Sequence, residues 1–249
     1  MDPRSGKIET MNQLPRRHLH LPHPSENLLY ILALALSPIG NYFLQMLVMG
    51  QYQKASDEQQ VWLHGAINAS YALFIVGNIP ALLTLLLRTG LHRSADVRRL
   101  LAGFGIACSL DLLLNVVIVS LAIVKNNLQS YDLLLQAFLL YLSMNMIFFF
   151  WYWFIDYPEQ LRHLNDPTNL PDILFPEQTE NLFPRWKPHP IDYLFFTILS
   201  SNTLGPPGGH LVFGRRTKLL QIGHTITTLV VFLVLVARAI NTLPGPSTP

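Results

Sequence analysis

Ionisable and amide side chains stand inside long apolar segments of this 249-residue sequence, and these are the residues that could do chemistry. Asp111 lies in the stretch CSLDLLLNVV, with Asn115 four residues later and therefore on the same face of a helix. A carboxylate at the centre of a bilayer costs about 3 kcal/mol or more, so we expect Asp111 to face the protein interior or a wet cavity. Two interpretations of Asp111 stay open. It could relay an ion or proton, or it could form hydrogen bonds that only hold helices together. The candidate partners in the second interpretation are Asn68, Asn78 and Asn145.

Two further polar residues lie in the apolar C-terminal part of the chain. His224 stands inside the last long apolar segment, where it could either titrate or hydrogen-bond a neighbouring helix. Asn202 lies near the end of a shorter apolar segment, residues 191–203. The residues that we predict to line an ion or solute pathway are Asp111, Asn115, Asn202 and His224.

The short segment at residues 191–203 is followed by a Gly-Pro-Pro-Gly-Gly break at residues 205–209. Its 13 residues are too few to cross a bilayer, and segments of this length are usually re-entrant or interfacial. We therefore predict a half-helix that either inserts from the cytoplasmic side and returns to it or lies flat at the membrane interface. Asp192 is predicted to cap it, because a carboxylate at a helix N-terminus satisfies free amides and is favoured by the helix dipole.

The composition indicates the elements that must position these residues. Half of the chain is hydrophobic and only 13% is charged, against about 25% in an ordinary soluble domain. Apolar stretches long enough to cross a bilayer must be helical, because lipid offers no partner for free backbone groups. The sequence thus predicts an all-α membrane protein with one transmembrane domain, residues 28–243, between a flexible cytoplasmic tail, 1–27, and a short tail, 244–249. The predicted spans are 28–49, 62–87, 100–124, 131–155 and 219–237.

Basic residues predict how these spans are oriented, since loops on the cytoplasmic side carry an excess of Lys and Arg. If the half-helix does not cross, 14 of the 17 basic residues fall on one face, and only Lys54, Lys125 and Arg238 fall on the other. We predict a multi-pass membrane protein with a cytoplasmic N-terminus. The lipid bilayer is its predicted partner, and the sequence leaves a homo-oligomer open.

Seven consecutive aromatic residues, 148–154, end the fourth predicted span. Aromatic rings prefer the headgroup level of a membrane. We interpret this run as an interfacial belt that fixes the depth of the helix.

Catalytic and cofactor signatures are missing from the sequence. It contains no His-Glu-x-x-His, no Gly-x-Ser-x-Gly, no phosphate-binding loop and no dinucleotide fingerprint. The basic residues sit at span ends, where topology accounts for them, so nucleic-acid binding is not indicated. We therefore predict no enzymatic activity, no cofactor and no metal, and the sequence does not identify a ligand.

The C-terminal part of the chain also carries a pattern of short motifs, over residues 148–243. After the aromatic run come Asp172-Ile-Leu-Phe-Pro-Glu-Gln178, Trp186-Lys-Pro188, Asp192-Tyr-Leu194, Asn202, Lys218, Gln221 and Ala237-Arg-Ala-Ile-Asn241. This pattern resembles a family of uncharacterised bacterial multi-pass integral membrane proteins with an ion-channel-like C-terminal region. The resemblance implies a helical fold with a re-entrant element, in the inner membrane of a bacterium. The sequence departs from the family at residues 204–207, Leu-Gly-Pro-Pro, where the family pattern has Ser-Pro-Thr-Asp.

Two functions agree with these observations. In the first, the half-helix and the third and fifth spans line a polar cavity through which an ion or small solute passes. In the second, the protein is a non-transporting membrane scaffold or accessory subunit, and its polar residues only hold helices together.

Overall fold

The structure is a computed structural model. It describes residues 24–52, 57–72, 75, 78, 79, 83, 94–124, 130–179 and 186–241. Most of the predicted N-terminal tail, most of the second half of the predicted span 62–87, and the predicted tail 244–249 lie outside these residues.

The described part of the chain is mostly helical, which confirms the all-α class. A two-stranded antiparallel ladder, which the sequence did not predict, joins Ile173 to Val212 and Leu174 to Leu211. The helices are α1 Pro24–Tyr52, α2 Asp57–Ala72, α3 Ser94–Val124, α4 Ser130–Asn165, α5 Pro176–Thr179, α6 Pro190–Thr203 and α7 Arg215–Asn241, and the strands are β1 Ile173–Leu174 and β2 Leu211–Val212.

Two helices are long and apolar enough to cross a membrane, judged by length and composition. The candidate spans are Arg98–Ile118 in α3, with 21 residues, and Leu135–Asn165 in α4, with 31 residues. A shorter apolar stretch, Leu29–Phe43, lies in α1. These helices indicate association with a membrane, whereas the prediction of five spans remains a hypothesis.

Helix α4 lies at the centre of the fold and packs against α1, α3, α6 and α7. Tyr30 of α1 stacks on Trp153, with ring centroids 4.0 Å apart, while Ser143 donates to the carbonyl of Ser37. Residues early in α1 therefore meet residues late in α4, so the two helices are antiparallel. Arg98, near the start of α3, contacts Phe154 in the later part of α4, so the start of α3 also lies beside the later part of α4.

The aromatic run in α4 lies mainly in the core, so the prediction of an interfacial belt is wrong for most of it. Phe148, Phe149, Phe150, Tyr152 and Trp153 are all at most 9% exposed. The physical reason is that neighbouring helices surround α4 and cover several of its faces. These rings therefore pack against neighbouring helices, whereas a belt would need rings on the surface of the protein.

Helix α6 coincides with the predicted half-helix and begins one residue before it. The Tyr193 hydroxyl, near its start, donates to Asp156, and Ser201, near its end, bonds Tyr141. Because Asp156 follows Tyr141 by 15 residues along α4, helix α6 runs antiparallel to α4. It ends at Leu204, whose left-handed conformation, with φ of 56°, terminates the helix.

The chain then returns to the level at which α6 began. Val212 in β2 pairs with Ile173 in β1, and the Ile173 backbone amide donates to Asp156 at 2.8 Å. Asp156 thus marks both the start of α6 and the end of the return. We call residues 190–214 the half-helix hairpin. Helix α7 begins immediately after it, at Arg215.

Candidate functional site

Asp111 is a buried polar residue in the region where α1, α2 and α3 meet, and it is only 1% exposed. Its carboxylate accepts hydrogen bonds from Asn41 Nδ2 at 2.7 Å, Ser70 Oγ at 2.5 Å and Asn115 Nδ2 at 3.3 Å. The three donors come from α1, α2 and α3 respectively. A single carboxylate therefore links three helices that are distant in sequence.

Local features of the sequence place these donors. Asn115 lies one helical turn after Asp111, and its amide also donates to the Asp111 carbonyl at 2.8 Å. Gly40 precedes Asn41, and a Cβ at Gly40 would lie 2.9 Å from Ser143 Oγ. The missing side chain lets α1 approach α4 closely, which small residues allow in membrane helix packing. This close approach fixes the part of α1 that carries Asn41.

A second polar pair lies one turn before Asp111. The Cys108 thiol, 0% exposed, donates to Asn78 Oδ1 at 3.3 Å. Asn41 Oδ1, Asn78 Nδ2 and Ser37 Oγ are buried and have no hydrogen-bond partner among the described residues. Because a buried unsatisfied polar group costs about 1–3 kcal/mol, such atoms are suited to water or an ion. We call Asn41, Ser70, Asn78, Cys108, Asp111 and Asn115 the polar centre.

His224 lies on α7 and faces α4 rather than the polar centre. Its ring stacks on Phe148, with centroids 4.2 Å apart and an interplanar angle of 17°. Its Nδ1 lies 3.2 Å from the Tyr152 hydroxyl, and its buried Nε2 has no partner among the described residues. With the hydroxyl donating to Nδ1, the imidazole would present an N–H at Nε2.

Asn202 lies at the far end of α6 and is exposed. Its Oδ1 accepts a hydrogen bond from the Tyr141 hydroxyl at 3.0 Å, and the same hydroxyl lies 3.0 Å from Ser201 Oγ. These contacts attach the end of α6 to α4. They place Asn202 next to the turn of the half-helix hairpin.

The four residues predicted to line a pathway thus form separate groups. Asp111 and Asn115 bond each other and the helices α1 and α2. Asn202 and His224 instead bond tyrosines of α4, namely Tyr141 and Tyr152. The hydrogen bonds of the described residues join the first pair, but they do not join that pair to Asn202 or His224.

Asp192 lies in the first turn of α6, where the sequence predicted a cap. Its carboxylate accepts a hydrogen bond from the backbone amide of His189 at 2.7 Å. His189 is the N-cap residue, and Pro190 follows it at the first helical position. The carboxylate therefore serves the N-terminal end of the half-helix, where negative charge is favoured.

Sequence reasoning missed Asp156, which is 0% exposed. Its carboxylate accepts hydrogen bonds from Tyr193 Oη at 2.7 Å, Gln160 Nε2 at 2.9 Å and the Ile173 backbone amide. The only local signal was Gln160, four residues later. The partners on the half-helix hairpin and on β1 are 37 and 17 residues away, so no local pattern identifies them.

The sequence analysis did not identify His210 either. It lies in the return of the half-helix hairpin, with its ring 5.3 Å from that of Phe175 and 5.4 Å from that of Phe196. Burial among these rings lowers the pKa of His210 below that of an exposed imidazole. The folded structure therefore favours the neutral ring, which packs as a part of the aromatic core.

The chemistry of the polar centre rests on one carboxylate with hydroxyl, thiol and amide groups. Within the ranges that the structure describes, no group of three or more His, Cys, Asp and Glu side chains could hold a metal ion. The carboxylate of Asp111 can accept a proton or attract a monovalent cation, and the amide and hydroxyl oxygens beside it can supply further ligands.

No protein-family model, curated protein or solved structure matches this chain. The resemblance over residues 148–243 therefore stays a prediction, together with the fold and the re-entrant element that it implies.

Proposed function

We propose that this protein is an integral membrane protein that passes a proton or a small monovalent cation by way of Asp111. In this proposal α1, α3, α4, α7 and the predicted span 62–87, which begins within α2, cross the membrane of a bacterial cell, and the half-helix hairpin enters from the cytoplasmic side and returns to it. The two candidate spans in α3 and α4 support the membrane location. The polar centre would be the station at which the ion loses its water.

The burial of Asp111 within a candidate span carries the proposal. Its three donors, Asn41, Ser70 and Asn115, are neutral, so hydrogen bonds but no basic partner among the described residues stabilise the carboxylate. A buried charge without a counter-charge is expensive, and binding a proton or cation removes that cost. An anion or an apolar solute would gain nothing from this site.

The half-helix hairpin supports the proposal that water reaches membrane depth beside α7. The Thr225 hydroxyl contacts the Leu204 carbonyl at 3.4 Å, and Thr225 lies ten residues into α7 after Arg215. Ten residues of helix rise about 15 Å, half of the roughly 30 Å hydrocarbon core. Irregular backbone at this depth is stable only against protein or water, and Asn202 and Thr203 are exposed there.

The alternative is a membrane scaffold or accessory subunit that transports nothing. One observation favours it, namely that the donors to Asp111 come from three different helices. Polar residues in membrane proteins hold helices together in this way. Under this alternative the polar centre contributes stability alone.

Flux through proteoliposomes separates the two functions. The purified protein is reconstituted, and proton, Na⁺ and K⁺ fluxes are measured with ion-sensitive dyes for the wild type and for Asp111→Asn. We expect the variant to lose flux by about tenfold or more, because tenfold corresponds to only 1.4 kcal/mol of ion interaction. Asp166→Asn, the same chemical change at an exposed position, is the matched control and should keep wild-type flux.

Two results would contradict the proposed transport by way of Asp111. If the wild type passes none of the three ions while Asp111→Asn lowers the unfolding temperature, the scaffold is favoured. If Asp111→Asn folds and conducts like the wild type, Asp111 is not on the pathway.

A further inference from the structure

Prolines interrupt the backbone hydrogen bonding of two long helices, at Pro38 in α1 and Pro158 in α4. A proline has no backbone N–H, so the carbonyl of the residue four positions earlier loses its helical hydrogen bond. In α4 that carbonyl belongs to Phe154, and Arg98 Nη2 replaces the lost donor at 3.2 Å. The carbonyl that Pro158 releases is therefore satisfied by a charged donor.

The carbonyl that Pro38 releases belongs to Leu34, and the donor beside it is much weaker. Cys108 Sγ lies 3.9 Å from this carbonyl oxygen, but the same sulfur lies closer to Asn78 Oδ1, at 3.3 Å. A thiol is a weak donor with a single proton, so it does not satisfy both oxygens. Leu34 is 0% exposed, so bulk solvent does not replace the missing donor.

Two side-chain oxygens on the same face of α1 also lack partners. Ser37 Oγ and Asn41 Oδ1 are buried and have no hydrogen-bond partner among the described residues. Leu34, Ser37 and Asn41 follow one another at spacings of three and four residues, so they share one face of the helix. This face lies against Asp111, whose carboxylate accepts from Asn41 Nδ2 at 2.7 Å. We call the Leu34 carbonyl oxygen, Ser37 Oγ and Asn41 Oδ1 the α1 oxygens.

The chemistry of these atoms favours a cation over a water molecule. The carbonyl and amide oxygens among the α1 oxygens accept hydrogen bonds but have no proton to donate. The Asp111 carboxylate beside them is also an acceptor, and its described donors are neutral. Water could donate to two of these oxygens, but it would leave the buried carboxylate without a counter-charge, which is costly. A cation satisfies the oxygens and offsets the charge together.

We propose that the α1 oxygens and the Asp111 carboxylate bind a dehydrated Na⁺. This inference deepens the proposed function and rests on it, because it names the ion that Asp111 receives. Carbonyls of interrupted helices coordinate Na⁺ at membrane depth in transporters. A proton would bind one oxygen and leave the others unsatisfied. Na⁺ is preferred to K⁺ because the smaller ion approaches the carboxylate more closely, and Coulomb attraction rises as the distance falls.

Thermal unfolding of the purified full-length protein in detergent tests the Na⁺ site. NaCl replaces choline chloride at constant ionic strength, so a change in the unfolding temperature reports specific binding. We expect Na⁺ at about ten times its Kd to raise the unfolding temperature by about 3–5 °C. K⁺ at the same concentration should raise it by less.

Two variants remove single ligands from the site. Ser37→Ala deletes one oxygen, and Pro38→Ala restores the N–H that occupies the Leu34 carbonyl. Each variant should lose about half or more of the Na⁺-dependent increase, because the ion keeps fewer ligands. In choline chloride neither variant should unfold at a lower temperature than the wild type. The first removes an unsatisfied hydroxyl and the second a proline inside a helix, whereas a purely structural role would predict a lower temperature.

Pro158→Ala is the matched control, because it is the same change at a position where Arg98 already satisfies the released carbonyl. It should keep the Na⁺-dependent increase. Four results would overturn the Na⁺ site: equal unfolding temperatures in NaCl and choline chloride, an equal increase from K⁺, an undiminished increase in Ser37→Ala, or an equal loss in Pro158→Ala. If Pro38→Ala does not fold, Ser37→Ala carries the test alone.

Failure of this inference differs from failure of the proposed function. If Na⁺ does not change the unfolding temperature while Asp111→Asn loses flux, transport by way of Asp111 stands and the Na⁺ site is wrong. If Na⁺ stabilises the wild type and the two ligand variants lose the effect, but no ion crosses the proteoliposome membrane, the site stands and the transport function is wrong.

Discussion

Two buried aspartates, Asp111 and Asp156, each join segments that are distant in the sequence. Asp111 accepts donors from α1 and α2, and Asp156 accepts donors from the half-helix hairpin and from β1. The sequence identified Asp111 because a carboxylate stands out in the middle of an apolar segment. It did not identify Asp156, because that residue ends the apolar segment and resembles the first residue of a polar loop.

The bond from Tyr193 to Asp156 provides a prediction at this scale. Tyr193→Phe removes the hydroxyl that donates to a buried carboxylate, so we expect a loss of about 1.5–3 kcal/mol of unfolding free energy. The measurement is denaturant or thermal unfolding in detergent. Tyr141→Phe, which loses a partly buried bond to Ser201 and an exposed bond to Asn202 at the other end of α6, should lose only about 1 kcal/mol. Equal losses in the two variants would show that Asp156 does not anchor the hairpin.

At the scale of the elements, two glycines in α3 differ in what surrounds them. A Cβ at Gly105 would lie 2.6 Å from Phe150 Cε1 and 3.0 Å from Trp151 Cζ2, whereas a Cβ at Gly103 would meet nothing within 4 Å. Gly105 therefore sets the close approach of α3 to α4. The sequence shows both glycines but cannot tell which one faces a neighbouring helix.

Alanine substitution separates these two positions. Gly105→Ala should lower the unfolding free energy by about 1–3 kcal/mol, because the large rings of α4 must move. Gly103→Ala should be neutral or add up to about 1 kcal/mol, since alanine favours the helix more than glycine does. Both are measured by thermal unfolding in the same detergent. A neutral Gly105→Ala would mean that α3 and α4 do not pack as described.

The half-helix is the element that the sequence predicted best. Its length, its terminal break and its acidic first turn are all local features, so residues 191–203 could be recognised without knowledge of the rest. The return of the chain could not be predicted, because β1 and β2 have only two residues each and lie 37 residues apart. Strands that short leave no periodic pattern in a sequence.

At the scale of the whole molecule, the sequence identifies the polar residues within the apolar segments but does not predict which helices they face. Asp111 and His224 were expected to line one cavity. In the structure they lie on α3 and α7 and bond different helices. Helical periodicity assigns a residue to a face of its own helix, but the neighbour of that face depends on tertiary packing.

The central claim concerns topology: the half-helix hairpin enters the membrane and returns to the same side. Single cysteines before the hairpin, at Asn169→Cys, and at the end of its return, at Leu211→Cys, test it in a Cys108→Ser background that removes the only native cysteine. A membrane-impermeant maleimide is applied to inverted and to right-side-out vesicles. The account predicts that both cysteines react in inverted vesicles alone. Reaction of the Leu211→Cys variant only in right-side-out vesicles, with Asn169→Cys reacting only in inverted ones, would contradict it.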